Sequence, residues 1–136
     1  MLYSLVVHED AELDLDDLWE LDEEATADIV ALLEQAPSDQ ELLDNLTVKD
    51  FGRHRTEEIH VDKWVEQQRK GRNLWRLKIW DLEDRGIHYR VVYALDPRIS
   101  RYHVLGIVDR DFDYDENDER TKRILVAYDE LGIPHY

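Results

Sequence analysis

The chain has 136 residues, 37% charged and 43% hydrophobic, enough for one domain spanning 1–136 and too apolar for a disordered chain. It has no cysteine, which excludes a disulfide framework, a thiolate metal site and a thiolate nucleophile. The formal net charge of −16 argues against a nucleic-acid partner until its distribution is followed along the chain.

Residues 1–48 carry 15 acidic and no basic side chains. Residues 49–110 carry 14 basic and 10 acidic side chains, and residues 111–136 carry 3 basic and 8 acidic. The acidic part is either a solvated surface or one end of a polarised molecule whose middle is cationic. In the second case its carboxylates, among them Asp14, Asp16, Asp17, Glu20, Asp22 and Glu23, mimic nucleic acid or hold a basic partner. No apolar stretch approaches the roughly 18 residues of a membrane span. Met1-Leu2-Tyr3-Ser4-Leu5 lacks the basic start and long apolar run of a signal peptide. The expected location is the cytoplasm, without a membrane partner.

In chain order, Leu2 to Val7 is a short β-branched run, expected as a strand of the main sheet. Asp10 is a plausible N-cap for a helix through Leu13, Leu15, Leu18 and Trp19. The apolar pattern lapses near Asp22 to Ala25 and resumes at Ile29, Leu32 and Leu33, the spacing of a core-facing stripe. Two antiparallel helices, or one bent helix, end before Pro37, and Asp39 to Leu46 adds a further helical piece. Residues 47–73 give only short apolar islands: a strand remnant at Ile59-His60-Val61 and a helical turn at Trp64-Val65. The basic run from Gln67 to Asn73 then leads into the next strand.

Leu74 to Tyr114 reads as a three-stranded antiparallel meander with turns at Glu83-Asp84-Arg85-Gly86 and Asp96-Pro97-Arg98. Alternation gives the odd positions, from Trp75 and Leu77 to His103, Leu105 and Ile107, to a core face. With Asp81 opposite Ile87 and Leu95 opposite Arg101, the even positions share the other face: Arg76, Lys78, Trp80, His88, Arg90, Val92, Tyr102, Val104, Gly106, Val108 and Arg110. Lys78 then lies opposite Arg90, and Arg90 opposite Gly106. Like charges facing each other across a sheet are unfavourable, so such a face is expected to hold an anion. A helix from about Glu119 to Leu131, stopped by Gly132 and Pro134, closes the chain.

The chemistry these residues suit is cleavage of RNA by its own 2′-hydroxyl. That reaction needs in-line alignment, a proton acceptor, cations on the phosphate oxygens and a proton for the leaving 5′-oxygen. Arginine is planar and permanently charged, which suits phosphate, and aromatic rings stack on splayed bases. Arg76, Lys78, Arg90, Arg110, Trp80 and Tyr114 meet most of that need, with His88 a candidate proton shuttle. Lys70 and Arg72 extend the cationic track toward RNA. The competing reading of the same residues is an exposed sheet face with solvated Arg and Lys. His54 and His60 lack metal-site spacing. The run Asp109, Asp111, Asp113, Asp115 fails as a calcium loop, because its sixth and twelfth positions hold Tyr114 and Arg120. There is no phosphate-binding glycine loop, nucleophile elbow or HExxH. No metal site and no cofactor are expected.

Three strands in order resemble the RelE/ParE toxin superfamily of bacterial and archaeal toxin–antitoxin systems. Trp75-Arg76-Leu77-Lys78-Ile79 is similar to its aromatic-basic-x-basic strand. His88-Tyr89-Arg90-Val91-Val92-Tyr93 is similar to its Tyr-Arg strand, and His103 to Arg110 followed by Tyr114 to its last strand. The resemblance implies an α+β RelE-like microbial RNase fold, with an N-terminal strand and two helices packed on a twisted antiparallel sheet and a C-terminal helix. It implies a metal-independent, ribosome-dependent mRNA endoribonuclease that inhibits translation and is neutralised by a cognate antitoxin. By position, Arg76 and Lys78 match its base and phosphate pair, Arg90 and Arg110 its phosphate-stabilising arginines, and Tyr114 its stacking tyrosine. The alternative is a non-catalytic binding protein on the same fold, either a ParE-like gyrase inhibitor or a degenerate superfamily member.

Overall fold

The computed structural model describes residues 2–109, 112 and 114–134. Among them are five strands and six α-helices, an α+β arrangement. The strands are β1 (Ser4–Val7), β2 (Ile59–Lys63), β3 (Leu74–Ile79), β4 (Tyr89–Asp96) and β5 (Arg101–Asp109). They form one sheet in the order β1-β5-β4-β3-β2. The expected antiparallel sheet is in fact mixed, because β1 runs parallel to β5.

The N-terminal helices are α1 (Glu9–Leu21) and α2 (Glu23–Gln35). The N-cap of α1 is His8 rather than Asp10: its Nδ1 accepts from the Asp10 amide at 3.0 Å. Asp22 separates the two helices. Its amide donates back to Leu18 O and its carboxylate accepts from the Ala25 amide at 3.0 Å, so one residue ends a helix and caps the next. Ala11, Leu15 and Leu18 of α1 and Ala25, Ile29 and Leu33 of α2 recur at helical spacing and are buried on one sheet face. The short helix α3 (Gln40–Asn45) follows. It hangs from two buried tyrosines of the sheet: the hydroxyl of Tyr102 donates to Leu43 O at 2.7 Å and that of Tyr93 to Leu46 O at 2.6 Å.

The stretch from 47 to 58 then runs along β2, which forms a full edge strand where only a remnant was expected. The Asp50 amide donates to Val61 O and the Val61 amide to Phe51 O, both at 2.9 Å. Gly52 makes this approach possible. It sits at φ +79°, and a Cβ there would lie 1.8 Å from Ile59 O.

The short helices α4 (Val65–Arg69) and α5 (Trp80–Asp84) follow β2 and β3, and the other face of the sheet is covered by α6 (Glu119–Glu130). Ile124, Ala127 and Tyr128 pack with Leu74, Val92, Ala94, Leu105 and Val108 in a second core cluster. Gly106 lets the helix sit close, since a Cβ there would meet Ile124 Cδ1 at 3.0 Å. Asp14 of α1 ties the layers together. It accepts from the Ile107 amide at 2.9 Å and takes two N–H groups of Arg123 at 2.9 and 2.6 Å. Asp14 and Asp22 are therefore structural groups, not part of a free acidic surface.

The β3–β4 register runs through Trp75–Tyr93 to Leu77–Val91, in line with the expected Asp81–Ile87 pairing. The β4–β5 register differs from expectation. Arg90 pairs with Val108 rather than Gly106, and Asp96 rather than Leu95 pairs with Arg101. A bulge opposite Val92 and Tyr93 leaves Leu105 as the extra residue and flips the alternation beyond it. Tyr102 and Val104 thus join the α1–α2 core, while Leu105 lies on the α6 side. His103 pairs with Ala94 of the α6-side cluster, and burial lowers its pKa. Among the described residues no helix is long and apolar enough to cross a membrane.

Candidate functional site

Where the apolar stripe of α6 ends, the same sheet face opens into a cleft of about 450 Å³. Its walls are Arg76, Lys78, His88, Arg90 and Tyr114, with His60, Asp62, Asp109 and Phe112. Alternation along β3 explains the first pair: Trp75 and Leu77 are buried in the α1–α2 core, so Arg76 and Lys78 face the other way.

The β3–β4 connection is not the tight turn expected from Glu83-Asp84-Arg85-Gly86. Trp80–Asp84 forms one helical piece, α5, pinned by buried Leu82 and left through Gly86 at φ +77°. This geometry turns Glu83 back onto β4. The Glu83 carboxylate, only 11% exposed, bonds His88 Nδ1 through one oxygen and an Arg90 guanidinium nitrogen through the other. The paired ladder stops at Leu77–Val91, one step short of Lys78 and Arg90. Glu83 neutralises Arg90 just beyond that end of the ladder.

Each cation in the cleft is held differently. Arg76 lies 3.6 Å from Asp62, its cross-strand partner, and its guanidinium carbon sits 4.6 Å from the centre of the Tyr114 ring. Arg90 is held by Glu83 and also donates to Tyr89 O at 3.0 Å. Among the described residues Lys78 has no carboxylate within ion-pair distance; its ammonium lies 4.7 Å from the Trp80 ring. His60 Nε2 is 3.2 Å from Asp50 Oδ1, a contact that holds the Asp50 carboxyl below its ordinary value. The cleft is thus a set of cations interleaved with carboxylates rather than a bare cationic face.

Tyr114 has φ +63° and packs edge-on against Phe112 at 4.5 Å and Trp64 at 5.2 Å. Of the nine residues anticipated for the site, Arg76, Lys78, His88, Arg90 and Tyr114 share this cleft. Arg110 lies outside the described residues.

Three others are placed elsewhere. Lys70 bonds Glu116, and Arg72 forks onto Asp129 at 3.1 Å, so both fasten the entry to β3 onto α6 and the turn before it. Trp80 starts α5, where its Nε1 donates to Gly52 O at 2.8 Å and its ring stacks on His60. The sequence reading missed Glu83, His60, Asp62 and Phe112. Glu83 gave no signal in the sequence, because its role depends on α5 standing where a turn was expected.

No family model matches the chain. No curated protein and no solved structure matches it either. Among the described residues no group of three or more His, Asp or Glu side chains is placed to hold a metal ion. The arrangement can bind an oxyanion with Lys78 and the free parts of two guanidinium groups, and it can move a proton at the Glu83-held imidazole of His88.

Proposed function

We propose that the chain is a RelE-like toxin, a metal-independent endoribonuclease that cuts mRNA on the ribosome in the cytoplasm and is held by a cognate antitoxin. One observation carries this reading: five residues singled out on chemical grounds from two strands and two loops line one cleft together. The similarity of the three strands to the RelE/ParE superfamily supports it.

In the proposed reaction the 2′-oxygen attacks phosphorus and the bond to the 5′-oxygen breaks, leaving a 2′,3′-cyclic phosphate and a 5′-hydroxyl. His88, its Nδ1 held by Glu83, has Nε2 left to take the 2′ proton or to protonate the leaving oxygen. Arg90 uses the N–H groups that Glu83 does not occupy, and Lys78, which among the described residues has no carboxylate partner, adds a second cation; both oppose charge growing on the phosphate oxygens. Arg76 and Tyr114 form one stacked unit for a neighbouring base or phosphate. Arg110 keeps the phosphate role that the resemblance gives it.

The pairing of Arg76 with Asp62 and Arg90 with Glu83 favours the second reading, a non-catalytic binding protein on the same fold such as a gyrase inhibitor. Induced expression separates the two. For the nuclease, growth arrests and transcripts carry new cuts with 5′-hydroxyl ends. Cutting in a purified translation mixture falls roughly a hundredfold or more in Arg90→Ala and Lys78→Ala. Arrest without cuts but with DNA damage moves the assignment to gyrase, and absence of arrest at verified expression overturns the toxin reading.

A further inference from the structure

The reverse face of the same sheet edge carries a groove with the opposite character. Two adjoining cavities of about 280 and 360 Å³ share Leu32, Gln35, Glu58 and Ile59. They run between α2 and α3 on one side and β2 with its covering loop on the other. The floor is apolar: Leu32, Leu42, Phe51 and Ile79 are only partly buried against the core, over fully buried Ile59. Among the described residues no basic side chain lines either cavity.

The rim carboxylates divide into two groups. Asp28 and Asp81 are tied to Arg85 at 2.6 and 3.2 Å, and Asp39 caps α3. Glu41, Glu57 and Glu58 are exposed and, among the described residues, have no cation partner. An apolar trough with an unneutralised acidic rim is complementary to a segment with apolar anchors flanked by Lys or Arg.

We infer that this groove docks a basic amphipathic helix of a partner protein. A helix is favoured over an added strand because the main-chain groups of Val61, at the middle of the β2 edge, are already paired with Asp50 and Phe51. The charge excludes the other occupants: nucleic acid would meet only carboxylates, and a second copy would bring its own −16 to the acidic rim. The inference rests on neither the cleft nor RNA cleavage. Ile59 faces the groove while His60 faces the cleft, so an occupant here leaves the cleft open.

The test uses the full chain and a labelled synthetic peptide of about 20 residues, with Leu at helical i, i+3/i+4, i+7 spacing and Lys between, read by fluorescence anisotropy at low salt. Comparators are the same composition scrambled, and the amphipathic peptide with Glu for Lys. Two triple variants carry the same charge change at exposed positions: Glu41→Lys, Glu57→Lys, Glu58→Lys in the groove, and Asp16→Lys, Asp17→Lys, Glu20→Lys on α1. The expected result is binding of the basic amphipathic peptide alone, weakened about tenfold or more by the groove triple and less than about twofold by the α1 triple. Equal weakening by both triples, equal binding of the scrambled peptide, or no binding at about 1 mM would overturn the inference. So would self-association of the wild type that the groove triple abolishes, because the groove would then belong to a second copy.

Discussion

On one face of the β2–β3 edge, among the described residues, Arg76 is set against Asp62 and Arg90 against Glu83, and Lys78 against a ring. On the other face Glu41, Glu57 and Glu58 border an apolar floor, without a cation partner among the described residues. Both faces come from one alternating strand, with Ile59 and Val61 turned inward and His60 and Asp62 turned toward the cleft. The difference teaches how each face meets a ligand. Paired, half-buried charges are held in place before a ligand arrives, and it must compete with their present partners. Exposed single charges are already hydrated, and a partner of opposite sign gains attraction without breaking any pair.

The largest effect is expected from unseating the layer that frames the cleft. Ile124 is fully buried, with its side chain against Gly106. Ile124→Ala should cost about 2–5 kcal/mol, seen as a lower urea midpoint at unchanged slope. In conditions where the variant stays folded, its cleft should weaken toward inorganic phosphate while the groove keeps its peptide affinity. Equal loss on both faces would mean that they are not separable.

A smaller effect sharpens the contrast from within the cleft. Glu83→Gln removes the carboxylate shared by His88 and Arg90 while keeping its shape. Inorganic phosphate, measured by titration calorimetry, should bind roughly fivefold more tightly, the consequence of about 1 kcal/mol of electrostatic repulsion removed. RNA cutting should fall in the same variant, because His88 loses the group that orients it. Unchanged phosphate affinity would mean that Glu83 does not set the charge of the cleft.

How much of this was legible in the sequence depends on what carried the signal. Periodicity located α1, α2, α6 and the three meander strands, because each buries a face whose spacing is visible in the chain. The β3–β4 register was legible for the same reason, since Trp75, Leu77, Val91 and Tyr93 all had to face one core. The β4–β5 register was not. One bulged residue, Leu105, reverses the alternation, and Val104, Leu105 and Gly106 in succession do not mark which of them is extra. The full strand β2 was hidden because its edge is paired by an irregular loop rather than a strand. Arg76, Lys78, His88 and Arg90 were legible as a set because they come from two adjacent strands and their connection. Glu83 was not, because its role depends on α5 replacing a turn. Lys70 and Arg72 misled because a basic run has the same composition whether it awaits an anion or, as here, is tied to Glu116 and Asp129.

The smallest effect concerns how the groove wall is hung. Tyr102 is fully buried and its hydroxyl donates to Leu43 O, which supports the helix that carries Glu41 and Leu42. Tyr102→Phe should cost about 0.5–1.5 kcal/mol at neutral pH and loosen peptide binding at the groove while leaving phosphate binding at the cleft unchanged. The pH dependence gives an independent check. Burial pushes the Tyr102 hydroxyl from an ordinary value of 10.0 up to about 12. A group whose folded pKa is raised contributes stability that is fully present below its unfolded pKa and is lost as pH rises through the folded one. The wild type should therefore lose stability between about pH 10 and pH 12. Tyr93 beside it is also raised by burial, so Tyr102→Phe should flatten that alkaline loss without abolishing it. An alkaline profile identical in the two proteins would show that Tyr102 ionises as freely in the folded chain as in the unfolded one, and the hydroxyl would not then be the tether of the groove wall.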